Sequence, residues 1–298
     1  MIVVTTPTGA IGRQVLQHLL DPASGSDEPV RVIARDPARL AGRVRDRVEV
    51  VPGSHGDPDV VTKAFDGARA VFWVVPPDLT AAGAEDAYTG FTRPACAALR
   101  HHGVERVVGV SALGRGTPQA HRAGLVTASL AMDDLIAGTG VHHRALAAPS
   151  FMDNVLRQAT VIRDHGVFSG PVRGDLTAPV CATRDIAAAG AGLLLDPSWT
   201  GTGSVAVLGP EDLSGDTMAR IMSEVLGRQV RYERTPAAEF KAGLLAHGAS
   251  EPMAQAMLDM MVAKDDGLDN AEPRTPASTT PTSFRQWCEE VLRPAVLT

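Results

Sequence analysis

Residues 1–5 are an apolar, largely β-branched run, and the pattern then changes period. The segment Thr6-Pro7-Thr8-Gly9-Ala10-Ile11-Gly12 is short and glycine-containing, and from Ile11 onward apolar residues recur at helical spacing (Val15, Leu16, Leu19, Leu20). This order predicts a strand, a tight turn and a helix. The same change of period repeats. Strands are expected at 30–34, 48–52, 70–75, 106–110 and 141–147, with helices at 59–65, 85–102 and 119–137 between them. Pro76-Pro77 stops the fourth strand, and Gly138-Thr139-Gly140 closes the helix before the sixth. Repeated strand–helix units of about 30 residues imply a parallel, doubly wound sheet.

Past residue 150 the pattern loosens. A helix is expected over 151–163 and a turn into extended structure at 166–171. Thr183 is placed to cap an alanine-rich helix reaching Leu195. A strand at 203–208 is expected to return to the main sheet, followed by a helix from 213 and, after an edge strand at 229–234, a second over 236–247. Met253, Met257, Met260 and Met261 fall at i, i+4, i+7 and i+8 of a further helix, as a core stripe or as a flexible apolar wall for a bulky ligand. Residues 269–282 read as a surface loop or linker, and 283–291 as a last helix docked by Phe284 and Trp287. The expected fold is therefore α/β: a doubly wound parallel Rossmann sheet over 1–150, with a smaller α/β substrate-binding part over 151–298.

Composition narrows the partners. The 298 residues are 44% hydrophobic and 21% charged, with a net charge of −6. That balance argues against a nucleic-acid groove or an anionic membrane surface. The apolar runs are too short to span a bilayer, and the N-terminus lacks the charged region of a signal peptide. Cys96, Cys181 and Cys288 lie far apart, which fits a reduced, cytoplasmic setting. Lysine and tyrosine are scarce: Lys63, Lys241 and Lys264; Tyr88 and Tyr232. Tyr88 lies with Phe91, Cys96 and Leu99 in the helix at 85–102, whose apolar face suits the core or a homodimer interface.

The candidate chemistry sits at strand ends. A helix N-terminus after a glycine turn offers free backbone N–H groups to a pyrophosphate. Gly9 would allow the phosphates close, Gly12 would let the helix approach the strand, and Thr8 adds a hydroxyl, although Thr6 stands where such turns carry their first glycine. An ordinary βα turn remains the competing reading. The second strand ends at Arg35, with Arg39 one turn on and Arg13 inside the first helix. Guanidinium groups there suit the 2′-phosphate of NADP(H); solvated surface arginines are the alternative. Ser54 and His55 follow the third strand, where an adenine edge would lie, and the Val75–Pro76 backbone ends the fourth.

The order Thr-x-x-Gly-x-x-Gly, Ile-Ala-Arg-Asp-Pro, Val-Ser-Ala-Leu-Gly and Pro-Ser-Phe-Met-Asp-Asn, followed by Thr183-Arg184-Asp185-Ile186-Ala187 and Leu226-Gly227-Arg228-Gln229-Val230, resembles the NmrA-like branch of the atypical short-chain dehydrogenase/reductases. The resemblance covers nearly the whole chain. It implies a Rossmann core binding NAD(P)(H), with cofactor contacts at Thr6, Thr8, Gly9, Ile11, Gly12, Arg35, Ser54, Val75, Pro76, Ser111, Pro149 and Phe151. The family includes quinone and imine reductases, enzymes of natural-product pathways, and regulators that bind the cofactor without turnover. Its wider superfamily uses a tyrosine acid four residues before a lysine. The stretch after Ser111 holds neither, which leaves Ser111 as the candidate catalytic residue. His121, Asp153 and Asn154 are possible substrate-orienting groups, each with a structural alternative. Without a tuned acid, carbonyl reduction would lose a factor of about 10² to 10⁴. The expectation is thus an NADPH-dependent oxidoreductase acting on a small hydrophobic, already electrophilic acceptor such as an imine or iminium, a quinone or an enone. The alternative is an NADP(H)-sensing regulatory or binding protein.

Overall fold

The opening change of period becomes strand β1 (Ile2–Thr5) and helix α1 (Ala10–Leu19) in a computed structural model that describes residues 1–297. There follow β2 (Val30–Ala34), α2 (Gly42–Arg45), β3 (Glu49–Pro52), α3 (Pro58–Phe65), β4 (Ala70–Trp73), α4 (Phe91–His102), β5 (Arg106–Ala112), α5 (Leu125–Ala137) and β6 (His142–Ala148). The inner strands β1, β2 and β4 are almost wholly buried, largely apolar runs, which suits a sheet covered on both faces. They pair in parallel in the order β6-β5-β4-β1-β2-β3, with Val4 opposite both Val32 and Phe72. A seventh strand, introduced below, joins at β6.

Two helical layers cover the sheet. On one face α3, α4 and α5 bury Phe65, Cys96, Leu99, Met132 and Ile136. On the other, α1 buries Ile11, Val15, Leu16 and Leu19 against a helix from the second half of the chain. Fully burying a side chain of this size contributes about 1.5–3 kcal/mol. The helix at 85–102 enters through a π turn at 86–90. Pro94, inside α4, has no N–H to offer the Gly90 carbonyl, which accounts for the widened turn. The expected helix at 119–137 is shorter than its pattern. Gly124 has φ +50, so regular helix begins only at Leu125, after a 3₁₀ turn at Ala120–Arg122.

After β6 the chain leaves the sheet. It forms β7 (Ser150–Phe151), a 3₁₀ segment (Met152–Gln158), α6 (Ala159–His165), β8 (Val167–Gly170) and β9 (Ala178–Cys181). The helix expected over 151–163 is therefore broken: Phe151 is in a strand beside Cys181, and regular α-helix begins at Ala159. Helix α7 (Thr183–Leu195) then packs on α1, and β10 (Thr202–Ala206) pairs in parallel with β6, completing the seven-stranded sheet. The rest comprises β11 (Asp212–Leu213), α8 (Gly215–Leu226), β12 (Arg231–Arg234), α9 (Ala237–Ala246), α10 (Glu251–Asp265), α11 (Phe284–Trp287) and α12 (Arg293–Leu297). A separate core forms here around Met222, Trp287 and Leu292, with Phe284 stacked on Trp287 at 5.6 Å between ring centroids.

Thr183 does not cap α7 with its side chain. Its hydroxyl donates to Asp153 Oδ1 (2.8 Å) and its backbone N–H to Asp153 Oδ2 (3.0 Å), so the capping carboxylate comes from another segment. The supposed loop at 269–282 is tied inward at both ends. Asp269 is buried against Lys264, and the buried Thr282 donates its hydroxyl and backbone N–H to Asp185. The last helix continues beyond 291, through a π turn at Cys288–Leu292, into α12. No helix among the described residues is long and apolar enough to cross a membrane.

Candidate active site

The turn between β1 and α1 is built from backbone. Thr5, fully buried, donates its hydroxyl to the Phe72 carbonyl (2.9 Å) and accepts the Val74 N–H (3.0 Å), joining the ends of β1 and β4. Thr6 then takes φ +49, the left-handed conformation its missing glycine would adopt without strain. A Cβ on Gly12 would lie 2.3 Å from the Thr6 carbonyl oxygen, and one on Gly9 3.3 Å from the same atom. Helix α1 has no side-chain cap and no acidic residue in its first turn. Its leading N–H groups and positive dipole end therefore remain for an anion. These features fit the pyrophosphate of a dinucleotide. Thr8 stands half-buried beside the turn, and Ile11 is buried behind it.

Arg35 at the β2 tip, Arg39 in the 3₁₀ turn that follows and Arg13 in α1 are all exposed. The charge of Arg35 contributes slightly to lowering the pKa of His55, after burial, and that of Asp78, after its Thr80 hydrogen bonds. Ser54 accepts the Gly56 N–H (3.3 Å) and shapes the turn after β3. His55 is a core residue. It is buried edge-on to Trp73 and Phe91, its Nε2 lies 2.9 Å from the Val74 carbonyl, and burial holds its pKa down at about 4. Val75 is buried and Pro76 exposed at the β4 end, while Pro149 is buried and Phe151 half-buried after β6.

The β5 end holds a group that motif reading missed. Ser111 is buried, and its hydroxyl donates to Asp133 Oδ2 of α5 at 2.5 Å, with Ser129 Oγ at 3.4 Å. Asp133 is 3% exposed, and burial pushes its carboxyl up to about 6 despite the Ser111 hydrogen bond and the nearby Arg115 guanidinium at 3.6 Å. Arg115 also bonds Asp134 and the Leu130 carbonyl, fastening the loop after β5 to α5. A signal for Asp133 was present: it falls on the stripe Val126, Ser129, Asp133, Ile136, whose other members face inward. Helix α5 has neither tyrosine nor lysine. Asp153 serves as the cap of α7, and Asn154 and His121 are exposed.

Helix α10 lies across the loops that follow β4 and β5. At its start Ser250 donates its N–H to the Leu79 carbonyl (2.8 Å) and its hydroxyl to that of Ala81 (2.6 Å). At mid-length Ala256 sits on Gly124, where a Cβ would come within 1.9 Å of the Ala256 carbonyl oxygen. Met253 is fully buried with Leu125, Met257 and Met260 are half-buried against the same cluster, and Met261 is half-exposed outside it. The methionines thus divide between core and wall. A groove of about 870 Å³ lies elsewhere, on the outer side of α4, α5 and α10. It is lined by His121, Arg122 and Ala131 among others and contains none of the strand-end residues.

A seven-stranded Rossmann sheet, an uncapped glycine turn at its first crossover and a helix across its strand-end loops define a dinucleotide-binding protein, and its similarity to named reductases makes it an NAD(P)H-dependent reductase. The NAD(P)H-binding family model matches residues 7–197, and the NmrA-like family model matches residues 142–287. The chain belongs to the NAD(P)H-binding family, and its second half also matches the NmrA-like family. The (4-alkanoyl-5-oxo-2,5-dihydrofuran-3-yl)methyl phosphate reductase of Streptomyces griseus subsp. griseus is 32% identical over 297 residues, covering 97% of each chain. Quinone oxidoreductase 2 of Escherichia coli is 24% identical over 273 residues, 90% of this chain and 89% of that one. The structure of Citrobacter sp. triphenylmethane reductase complexed with NADP(H) superposes with a TM-score of 0.77 at 22% identity, covering 99% of this chain and 100% of the other.

Proposed function

We propose that the protein uses NADPH to reduce an electrophilic, mostly apolar acceptor of the imine or iminium, quinone or enone class, without a tyrosine–lysine acid pair. One observation carries this reading: the strand-end hydroxyl of Ser111 is directed to a buried carboxylate, on a helix that offers no phenol or ammonium. Simple ketones need a proton at oxygen as they are reduced, whereas acceptors that are already electron-poor need little. The bound nicotinamide supplies the hydride. The chain holds the pyrophosphate on the Gly9–Gly12 turn and the 2′-phosphate at Arg35, and it keeps water from the acceptor with the Met261 face of α10. The Streptomyces relative supports the class, because its name specifies a 5-oxo-2,5-dihydrofuran bearing an alkanoyl group, an activated enone. Three buried, unpaired cysteines among the described residues fit a reducing compartment such as the cytoplasm.

The test is NADPH oxidation against a quinone, a cyclic imine, an activated enone and a simple ketone, with a binding titration beside it. Turnover of an activated acceptor with the ketone inert is the expected result. Equal rates on all four would show that an acid has been overlooked.

A further inference from the structure

The chain has three lysines, and two have plain surroundings. Lys63 is in the last turn of α3, and Lys241 on α9 bonds Glu251 and Gln255 of α10. The third, Lys264, has a side chain only 12% exposed, and its ammonium is joined to Asp269, whose side chain is 4% exposed. Its place on α10 is informative. Ala256, Met260 and Ala263 meet α5 and the turn before it, while Glu251 and Gln255 meet α9. Met257 joins Met260 against the cluster of Leu125 and Met253, so the remaining face carries Met261 and, one turn on, Lys264. Lys264 therefore follows a half-exposed methionine.

This end of α10 lies over the β5 strand end. Leu268 packs with Ala112, and a Cβ on Gly114 would come within 2.6 Å of Leu268 Cδ1. Just past Asp269, Asn270 donates its side-chain N–H to the Thr177 carbonyl (2.9 Å), one residue before β9, whose Cys181 pairs with Phe151. In an open α/β sheet, ligands bind at the carboxyl ends of the strands. The ion pair is also incomplete. Asp269 engages one of three ammonium donors through Oδ2, which leaves donors on Lys264 for a ligand oxygen. Asp269 Oδ1 is buried with no partner among the described residues; as an acceptor it calls for a donor, such as a water, and not for a carbonyl oxygen. A desolvated ion pair is unfavourable unless further hydrogen bonds satisfy it. The neighbouring carboxylates have other partners: Asp153 holds Thr183 and Asp185 holds Thr282.

We propose that Lys264, oriented by Asp269, is the acceptor-binding cation of the crevice, and that it takes the oxygen of a quinone- or enone-type acceptor on which negative charge gathers during reduction. This rests on the reductase reading above and makes it more specific. It selects oxygen acceptors over cationic iminium acceptors, which lose their charge on reduction and gain nothing from a nearby ammonium. Lys264 would touch the acceptor, and Asp269 would act through Lys264 as a positioning residue.

The test compares wild type, Lys264→Met, Lys264→Arg and a double variant, Lys264→Met with Asp269→Leu, which leaves no buried carboxylate unpaired if the single change harms folding. Each is assayed with 1,4-naphthoquinone and with the crystal violet cation, and NADPH affinity is titrated separately. Both Met variants should lose about 100-fold in kcat/KM for the quinone, the scale of removing one donor at a developing oxyanion. They should gain on the dye cation and keep NADPH affinity, and Lys264→Arg should recover part of the quinone activity. A parallel loss on both acceptors, or no change on either, overturns the proposal and leaves the pair as a fastener of the lid. If the wild type binds NADPH but reduces neither acceptor, the reductase reading has failed separately. In that case 4-nitrophenol, titrated by absorbance on the NADP⁺-loaded protein, still decides. The wild type should bind the phenolate with a lowered apparent pKa and the double variant should not; identical titrations overturn the proposal.

Discussion

The two ends of the crevice are made in different ways. The proposed pyrophosphate end is one continuous stretch, residues 5–12, offering main-chain N–H groups, a left-handed Thr6 and two positions with little or no room for a side chain. The acceptor end proposed above draws on side chains of β5, α5, α10 and the turn after it, residues as far apart as Ser111 and Asp269. Backbone geometry binds what every member of such a fold shares. Side chains brought together over long sequence distances set what differs between members, so the first end should break all at once and the second by degrees.

Gly12→Val is the harshest test of that contrast. Its Cβ would meet the Thr6 carbonyl at 2.3 Å, so the turn must open. Overpacking of this kind costs about 1–3 kcal/mol in stability, and a nucleotide fluorescence titration should show NADPH and NADH binding lost together. Survival of either affinity would break the claim that backbone builds this end.

Asp133→Asn addresses the other end through pH. The folded carboxyl titrates near 6, above its ordinary 3.8, because burial penalises its charge. Between those values the native state keeps a proton that the unfolded state releases, so this group lowers stability as pH rises from about 4 to 6, by roughly 3 kcal/mol in all. Subtracting the variant's denaturation midpoints from those of wild type across that window isolates the slope. It also cancels His55 and His143, whose burial-lowered values near 4 act in the opposite direction. A flat difference would place Asp133 in water.

Arg35→Asp should weaken NADPH by about 1.5–3 kcal/mol, the usual worth of a hydrogen bond to a charged group, and NADH far less. Equal weakening of both would remove Arg35 from the 2′-phosphate. Smallest of all, Ser111→Ala should slow turnover of an activated acceptor by less than about tenfold, the loss of one hydrogen bond of about 1 kcal/mol. Abolished turnover with intact cofactor binding would make its hydroxyl part of the chemistry.

The same contrast explains what the sequence reveals. The strand–turn–helix at 1–20 is local, so its period and its glycines announce it. The strands are legible for the same reason. Asp133 is not, because Asp134 beside it has the same chemistry and only helical phase separates a buried acid from an exposed one. Asp153 looks like an early-helix acid until the fold brings it to Thr183, thirty residues on. His55 resembles a loop residue until Trp73 and Phe91 close around it. The Thr183 side chain reads as a cap because local sequence cannot show that a better acceptor arrives from elsewhere. Lys264 continues the methionine spacing by one turn, but its partner Asp269 lies beyond the helix.

The parallel pairing of β10 with β6 has a consequence for the order in which the molecule is made. Six strands are complete when residue 148 has been synthesised, yet the outer edge of β6 stays unpaired until residues 202–206 emerge. The nascent protein must carry that open edge through the whole detour of β7, α6, β8, β9 and α7. Unpaired edges invite pairing with other chains, and domains fold progressively during synthesis. A chain truncated between 148 and 206 should therefore aggregate through β6, even though its cofactor turn is already in place.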